Sequence, residues 1–303
     1  MRGEISGKHF CGDLPVTLST STSEFKSRES RIGPVSYRRG VTLIARRLLG
    51  RGGAWISPRT DTRNLRRLIA ALSPLSTDKQ LVRIGPPGDG GYLVPDDLQN
   101  IEACFSPGVS FVSGFEKQCA DAGMAVFLAD ASVDGPAESH PKFAFRKKFI
   151  GVTSDDNFVT IDGWVTESLS GTTSDLLLQI DIEGYEYEVF LGMSDALLRR
   201  FRVIVAEFHD LHQLWDGPRF SIASRAFEKV MQTHACVHIH PNNGSGSVKM
   251  DGIEIPRVAE FTFLRRDRIA HSSPALNFPH PLDHDNTRKT PLQLPACWIN
   301  AKA

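Results

Sequence analysis

Leu176-Leu177-Leu178-Gln179-Ile180-Asp181-Ile182-Glu183-Gly184-Tyr185-Glu186-Tyr187-Glu188-Val189 begins as an apolar run, stops at two carboxylates and a glycine, and continues in a helical pattern. A short, nearly continuous apolar run such as 176–180 suits a strand buried on both faces, as in a parallel sheet covered by helices. Asp181 and Glu183 are two residues apart, so in extended chain both side chains leave the same face at the strand's carboxyl end. Open α/β sheets bind ligands at that end. Beyond Gly184, the residues Tyr185, Val189, Phe190, Met193 and Leu197 recur at helical spacing. Glu186 and Glu188 fall in the first turn, where the helix dipole favours acids. The competing structural reading makes Asp181 and Glu183 helix caps or partners of a nearby arginine, so the neighbouring segments decide.

Working outward, strands and helices alternate in the manner of a parallel α/β sheet. Upstream, 101–105 reads as a strand, 115–122 as a helix, and 125–129 as a second strand ending at Asp130. A third strand is expected within 142–152 and a short helix starting at 160–165. Downstream come a strand at 202–207, a helix at 220–231, and strands at 235–240 and 260–264. Six or seven strands result, with 176–180 fourth in the series. The segment from His271 onward is rich in Pro, Asn and His and reads as an irregular arm.

Composition narrows the class. A chain of 303 residues that is 41% apolar can bury a full core. Lys plus Arg equals Asp plus Glu at 35 each, so no global field draws it to nucleic acid or acidic lipid. The five cysteines (Cys11, Cys104, Cys119, Cys236 and Cys297) are scattered and include no C-x-x-C pair, which favours a reducing compartment over structural zinc or disulfides. No apolar run approaches the roughly 18 residues of a membrane span, and a cytoplasmic location is expected. Arginines crowd the stretch before residue 70. Residues 1–75 read as a basic leader, irregular to about residue 40, with short helices at 41–49 and 61–72, the second capped by Asp61. An organelle transit peptide is opposed by Glu4, Asp13, Glu24 and Glu29. The catalytic domain is expected over 76–270 and the arm over 271–303.

Candidate ligand-binding positions follow from the strand ends. Asp130 lies 22 residues beyond Gly108, close to the interval of about 20 at which an acid after the second strand binds ribose hydroxyls in nucleotide folds. The diphosphate fingerprint G-x-G-x-x-G is absent, which disfavours a dehydrogenase and leaves an adenosine-bearing ligand without phosphates. Another glycine-rich loop, Gly85-Pro86-Pro87-Gly88-Asp89-Gly90-Gly91, lets backbone approach a ligand and equally makes an ordinary turn.

The order of these signals resembles the FkbM-type branch of S-adenosylmethionine-dependent methyltransferases, which have a Rossmann-like class I fold. The resemblance is carried by Asp181-Ile182-Glu183-Gly184-Tyr185-Glu186, a D-x-E-G-x-E signature, by Ile161-Asp162-Gly163-Trp164, and by Val205-Ala206-Glu207-Phe208. The segments His238 to Gly244 and Ile255 to Thr262 resemble the ending of one such subgroup. The likeness covers roughly 81–268 and departs from the family at Ser106-Pro107-Gly108-Val109-Ser110, which stands in place of a G-x-G turn. It implies S-adenosylmethionine as cofactor, with Ser106 and Gly108 beside it, Asp130 on its ribose, Ala131 or Ser132 near the adenine and Asp162 near the adenine amine. Asp89 would hold its ammonium group. For Asp130 and Asp89 the structural alternatives are a helix cap and a turn former.

Methyl transfer from a sulfonium leaves a neutral thioether, so an enzyme has to align donor and acceptor and, for a hydroxyl acceptor, remove a proton. Asp181, Glu183, Glu207 and His209 are the candidates, on adjacent strand ends about 4.8 Å apart. A metal-assisted alternative uses Asp181, Glu207 or His209, and His240 as ligands of a divalent ion that orients a diol or sugar hydroxyl. Its difficulty is that in this fold the last-but-one strand lies at the sheet edge, which sets His240 roughly 10 Å from the His209 strand. The expected activity is O-methylation of a small-molecule or glycan acceptor, a carbohydrate or secondary metabolite, with no nucleic acid partner. Trp164, Tyr185 and Trp215 are candidate lining residues with core packing as the competing role. A degenerate nucleotide-fold binding protein is the alternative from another class.

Overall fold

A computed structural model of the chain describes residues 56–171 and 173–299. The predicted helix at 41–49 and the leader before it lie outside the described residues. Helix α1 (Thr62–Ala71) begins after Asp61, whose carboxylate accepts the Arg63 amide, and buries Leu65, Leu68 and Ile69. Next come β1 (Leu75–Thr77), β2 (Leu81–Ile84), β3 (Tyr92–Pro95), β4 (Ala103–Pro107), α2 (Gly114–Asp121), β5 (Ala125–Ala129) and β6 (Phe143–Arg146). They are followed by β7 (Phe149–Gly151), β8 (Phe158–Thr160), α3 (Ile161–Ser168), β9 (Leu176–Ile180), α4 (Glu186–Gly192), α5 (Asp195–Leu198) and β10 (Phe201–Phe208). The chain continues through α6 (Gly217–Thr233), β11 (His234–Pro241), β12 (Ser247–Met250), β13 (Ile253–Pro256), β14 (Ala259–Arg265), β15 (Ser272–Pro274) and α7 (Ala296–Ile299).

Seven strands form one sheet in the order β11-β14-β10-β9-β4-β5-β6. From β10 through β6 the neighbours are parallel, and β14 runs antiparallel to both β10 and β11. The expected place of the last-but-one strand holds, because β14 is inserted between β10 and the edge strand β11. Residues of β9 and β10 are buried throughout, as apolar runs covered on both faces require.

Alternation sorts the sheet into two faces. Leu178, Ile180, Ile204, Ala206, Phe208, Phe261 and Phe263 belong to one core with α3, α4 and α6 residues. Leu177, Val203, Val205 and Leu264 belong to a second, with Phe115 and Cys119 of α2 and Tyr92 and Val94 of β3. Phe208 is fully buried among the rings of Tyr187, Phe190, Phe227 and Phe261; burying a side chain of that size contributes roughly 1.5–3 kcal/mol. The period of two then places the polar residues. Gln179 and Asp181 follow Leu177, Glu207 follows Val205, and Glu260 shares the parity of Leu264, so all face the second core. Glu207 is paired in register with Glu260, and Glu260 with His240. Ala206 is paired with Ile180, which brings Asp181 level with Glu207. A row of Asp181, Glu207, Glu260 and His240 therefore crosses four strands at one end of the sheet.

The local expectations fail where long-range pairing intervenes. The strand expected within 142–152 is two: β6 joins the sheet beside β5, while β7 pairs with β8. The helix expected from 185 to 197 breaks at Met193, which is extended at φ −61°, ψ 138°, and Ser194 caps a separate α5 through the Leu197 amide. Tyr185, assigned to that helix's apolar face, is 61% exposed. The arm is anchored: β15 pairs with β1, Asn243 donates to the Thr287 and Lys289 carbonyls, and Trp298 is fully buried with its indole N–H on the Glu254 carbonyl.

At the amino ends of β9 and β10 the acids meet arginines. Asp175 accepts from Arg202 at 2.7 Å and from Arg265 at 2.6 and 3.1 Å. Asp97 accepts twice from Arg268 at 2.7 Å.

Candidate active site

The carboxyl ends of β4, β5, β9 and β10 meet at one place, and Gly108 sets how closely. Its φ is +89°, and a Cβ at that position would lie 1.6 Å from the Asp181 carbonyl oxygen. Only glycine fits there. The turn after β4 is thus pressed onto the residue that follows β9, and the Asp181 amide donates to the Pro107 carbonyl. Asp130, at the end of β5, accepts the Val109 amide at 3.0 Å on one oxygen, and the Ser132 amide and hydroxyl at 2.6 Å on the other. Gly108, Asp130, Ala131 and Ser132 therefore come together, and Asp130 braces the turn without capping a helix.

The remaining cofactor candidates divide. Asp89 lies in the loop between β2 and β3, which Arg83 holds by donating to the Pro86 and Gly88 carbonyls at 2.8 and 2.7 Å. Its charge is felt by Glu207 across the cleft. Asp162 is in the first turn of α3, where its carboxylate accepts the Ser194 amide at 3.0 Å. Ser106, expected beside the cofactor, is fully buried, and its hydroxyl lies 2.6 Å from both Glu116 and Gln179. Alternation turns it into the interface between sheet and α2, so it braces that interface and does not reach the cleft. Trp164, a candidate for lining the acceptor pocket, is likewise core, edge-on to Phe105.

On the acceptor side the acids crowd. The His209 ring places Nδ1 3.1 Å from Glu186 Oε1, and Nε2 3.4 Å from Glu183 and 3.9 Å from Asp181. Glu186 is completely buried, and its Oε1 also accepts the Ile182 and Gly184 amides at 3.1 Å. Glu183 is in the left-handed region at φ +56° and its side chain is 86% exposed, so it stands at the rim. Tyr187 fixes the strand end from behind by donating to the His209 carbonyl at 2.8 Å. Glu207 accepts from Asn242 at 2.8 Å.

The electrostatics follow from burial and crowding. Burial and the facing Glu207 raise the Asp181 carboxyl well above the usual range. Burial raises Glu207 as well, against the Asn242 hydrogen bond. Burial alone would lower His209, but the Glu186 hydrogen bond and the surrounding carboxylates push it up to about 9. Further along the row burial raises Glu260 to about 8, while Asp283 from the arm bonds His238 at 2.8 Å and lies 3.7 Å from His240. Among the described residues, neither Lys nor Arg forms an ion pair with Asp181, Glu186, Glu207 or Glu260.

The metal alternative that included His240 is not assembled, since β14 separates its strand from that of His209. Asp181, Glu186 and His209 instead present ligand atoms within 4.8 Å of one another. Glu186 and Glu260 were not singled out from sequence as site residues, whereas Asn242 was named with Asn243 as an oxygen donor of the metal alternative. Glu186 was visible within the D-x-E-G-x-E signature but read as a first-turn acid favoured by the helix dipole. Glu260 was detectable from its parity with Glu207 once those strands are paired.

Strand order, the reversed β14 and a cleft at the strands' carboxyl ends define a Rossmann-like class I methyltransferase fold. Residues 94–235 match the family described as the methyltransferase FkbM domain, and the chain carries a methyltransferase domain of that family there. Comparison with curated proteins finds no match. Similar solved structures include a putative DNA modification methyltransferase encoded within an E. coli prophage, with 10% identity, 55% of this chain and 47% of that chain covered, and a TM-score of 0.36. The chain thus spans about half the length of that protein. Another is the N-methyltransferase NodS from Bradyrhizobium japonicum WM9, at 11% identity, 67% and 93% coverage and a TM-score of 0.31. A third is magnesium protoporphyrin IX methyltransferase (ChlM) from Synechocystis PCC 6803 with bound SAH, at 12% identity, 56% and 75% coverage and a TM-score of 0.30. No helix among the described residues is long and apolar enough to cross a membrane.

Proposed function

We propose that this protein transfers a methyl group from S-adenosylmethionine to a hydroxyl of a small-molecule or glycan acceptor, a carbohydrate or secondary metabolite. The observation that carries the reading is the close contact of the Gly108 turn with Asp181, which joins a cofactor-type turn, braced by Asp130, to a cluster suited to holding a hydroxyl proton. The residues fit the cofactor. Asp130 uses three donors from its own chain, and a carboxylate offers about four lone-pair sites, so one remains for a ribose hydroxyl. The cleft has no diphosphate loop, in keeping with a ligand that carries no phosphate.

When bound, the cofactor supplies a methyl group on a positively charged sulfur, so its departure needs no acid. The chain's own residues position the acceptor and handle its proton. Asp181 and Glu207 face each other, both raised by burial, and the one that is ionised takes the hydroxyl proton. With no cation bound, His209, charged near neutrality with a pKa of about 9, is better matched to stabilising the developing oxyanion than to acting as the base. Asp89 and Glu183, at the rim, contact the entering molecules.

Calorimetric titration with S-adenosylhomocysteine, followed by methyl-transfer assays on a panel of sugar and polyol acceptors, tests the reading. Wild type should bind the ligand, and Asp130→Ala should bind it at least roughly tenfold more weakly, the loss of one charged hydrogen bond. Because Asp130 also holds Val109 and Ser132, a small fall in melting temperature is expected with it. Wild-type protein that binds neither S-adenosylmethionine nor its product would exclude the proposal and favour a degenerate binding protein.

A further inference from the structure

We propose that Asp181, Glu186 and His209 form a binding site for a divalent cation of the Mn2+ class. Their ligand atoms already lie within 4.8 Å of one another, so small side-chain rotations bring them to one ion. Two independent observations mark the cluster as open for a ligand. Glu186 is completely buried, yet its Oε2 has no hydrogen-bond partner. Asp181 Oδ1 is likewise buried and unpartnered. A buried carboxylate oxygen left without a donor keeps its full desolvation penalty, which a bound cation removes.

The charge balance points the same way. Asp181, Glu183, Glu186 and Glu207 converge near a single histidine, with no Lys or Arg ion pair to any of the four among the described residues. Two carboxylates and one imidazole make a mixed oxygen and nitrogen set, suited to Mn2+ and to neighbouring borderline cations more than to Ca2+, which takes six to eight oxygens. Ligation takes the neutral imidazole, and the proton it displaces passes to solvent.

Three protein ligands leave coordination positions free in an octahedral ion, and the exposed Glu183 beside His209 marks the open side of the cluster. Two neighbouring oxygens of the acceptor would occupy those positions, which selects vicinal diols over isolated hydroxyls. This part rests on the methyltransferase reading; binding of the cation does not.

The test is titration of chelator-treated full-length protein with MnCl2, following the free aqueous Mn2+ signal by electron paramagnetic resonance. Wild type should remove one Mn2+ per chain from solution. Asp181→Asn and Glu186→Gln, each checked for folding by circular dichroism, should weaken that binding by roughly 10- to 100-fold or more. Glu186→Gln keeps an oxygen for the Ile182 and Gly184 amides, and if it fails to fold, Asp181→Asn decides. An undiminished Mn2+ signal with wild type, or unchanged affinity in a folded variant, overturns the site. Calorimetry with S-adenosylhomocysteine on the metal-free protein keeps the two ideas apart. Cofactor binding without Mn2+ binding removes only the cation site, whereas Mn2+ binding without cofactor binding removes only the methyltransferase reading.

Discussion

The two ends of strands β9 and β10 carry partly buried acids in opposite company. At the amino end Asp175 lies between Arg202 and Arg265, and Asp97 is held by Arg268. Burial opposes ionisation of Asp175, yet the two arginines bring its carboxyl below the ordinary range. At the carboxyl end Asp181 and Glu207 face each other and both are raised by burial. The histidines divide in the same sense. His234, which opens β11 beside Arg265, is lowered by burial to about 4 despite donating to the Phe201 carbonyl. His209 is pushed up to about 9. One sheet thus keeps arginine-paired acids at one end, and at the end where a ligand is proposed to bind several acids that share a single histidine. Strongly perturbed groups gathered in a cleft are the mark of a functional site.

The largest expected effect tests the amino end. Asp175→Ala takes from Arg202, a nearly buried side chain, and from Arg265 the carboxylate that accepts three of their hydrogen bonds, leaving Asp97 at 3.7 Å and Asp267 at 2.7 Å as their remaining acids, and loss of that pairing costs about 3 kcal/mol or more. Urea unfolding should show that loss in the midpoint at constant slope. A change under 1 kcal/mol would mean that the pair is no firmer than a surface bridge.

The second effect is acid sensitivity. His234 binds its proton near pH 6.5 when unfolded and about 4 when folded, so the unfolded state holds more protons between those values. Stability is complete above pH 6.5, falls as pH drops toward 4, and loses about 3 kcal/mol in all by linkage. His234→Gln should flatten that part of the stability profile. An equally steep profile in the variant would assign the loss elsewhere.

The smallest effect is the most discriminating. Asp181→Asn and Glu207→Gln each remove a charge from a crowded, uncompensated cluster, so stability should hold or rise by up to about 1 kcal/mol, while methyl transfer falls by at least roughly a hundredfold. Melting curves and acceptor assays on the same preparations check both halves. Strong destabilisation would show that the carboxyl end is structural after all, and the contrast between the ends would collapse.

Much of the fold was legible because its signals are local. The apolar runs at 125–129 and 176–180 coincide with β5 and β9, since a strand covered on both faces has nowhere to place a polar residue. Asp61 and the helix starting at 161 were readable from capping preferences that act over three residues. The break at Met193, the division between β6 and β7 and the hairpin of β2 and β3 were not, because each depends on a partner far along the chain. Within the site, Asp130, Asp181, Glu207 and His209 were legible as polar residues at apolar strand ends. Ser106 misled for the same reason: it shares the sheet face of Gln179 and Glu207 but lies inside its strand, where Glu116 of α2 covers it. Glu186 was hidden because a first-turn acid is ordinarily solvated, and only the return of His209 from the next strand encloses it.

The sequence by itself thus determined which strands are buried, where they end and which acids stand there, because hydrophobic periodicity and capping are short-range. The tertiary structure alone decided which of those acids meet an arginine and which meet one another. Strand order and register are set by pairing across the whole chain: they align Asp175 with Arg202 and Arg265 at one end, and bring Asp181, Glu186, Glu207 and His209 into one low-dielectric cleft at the other.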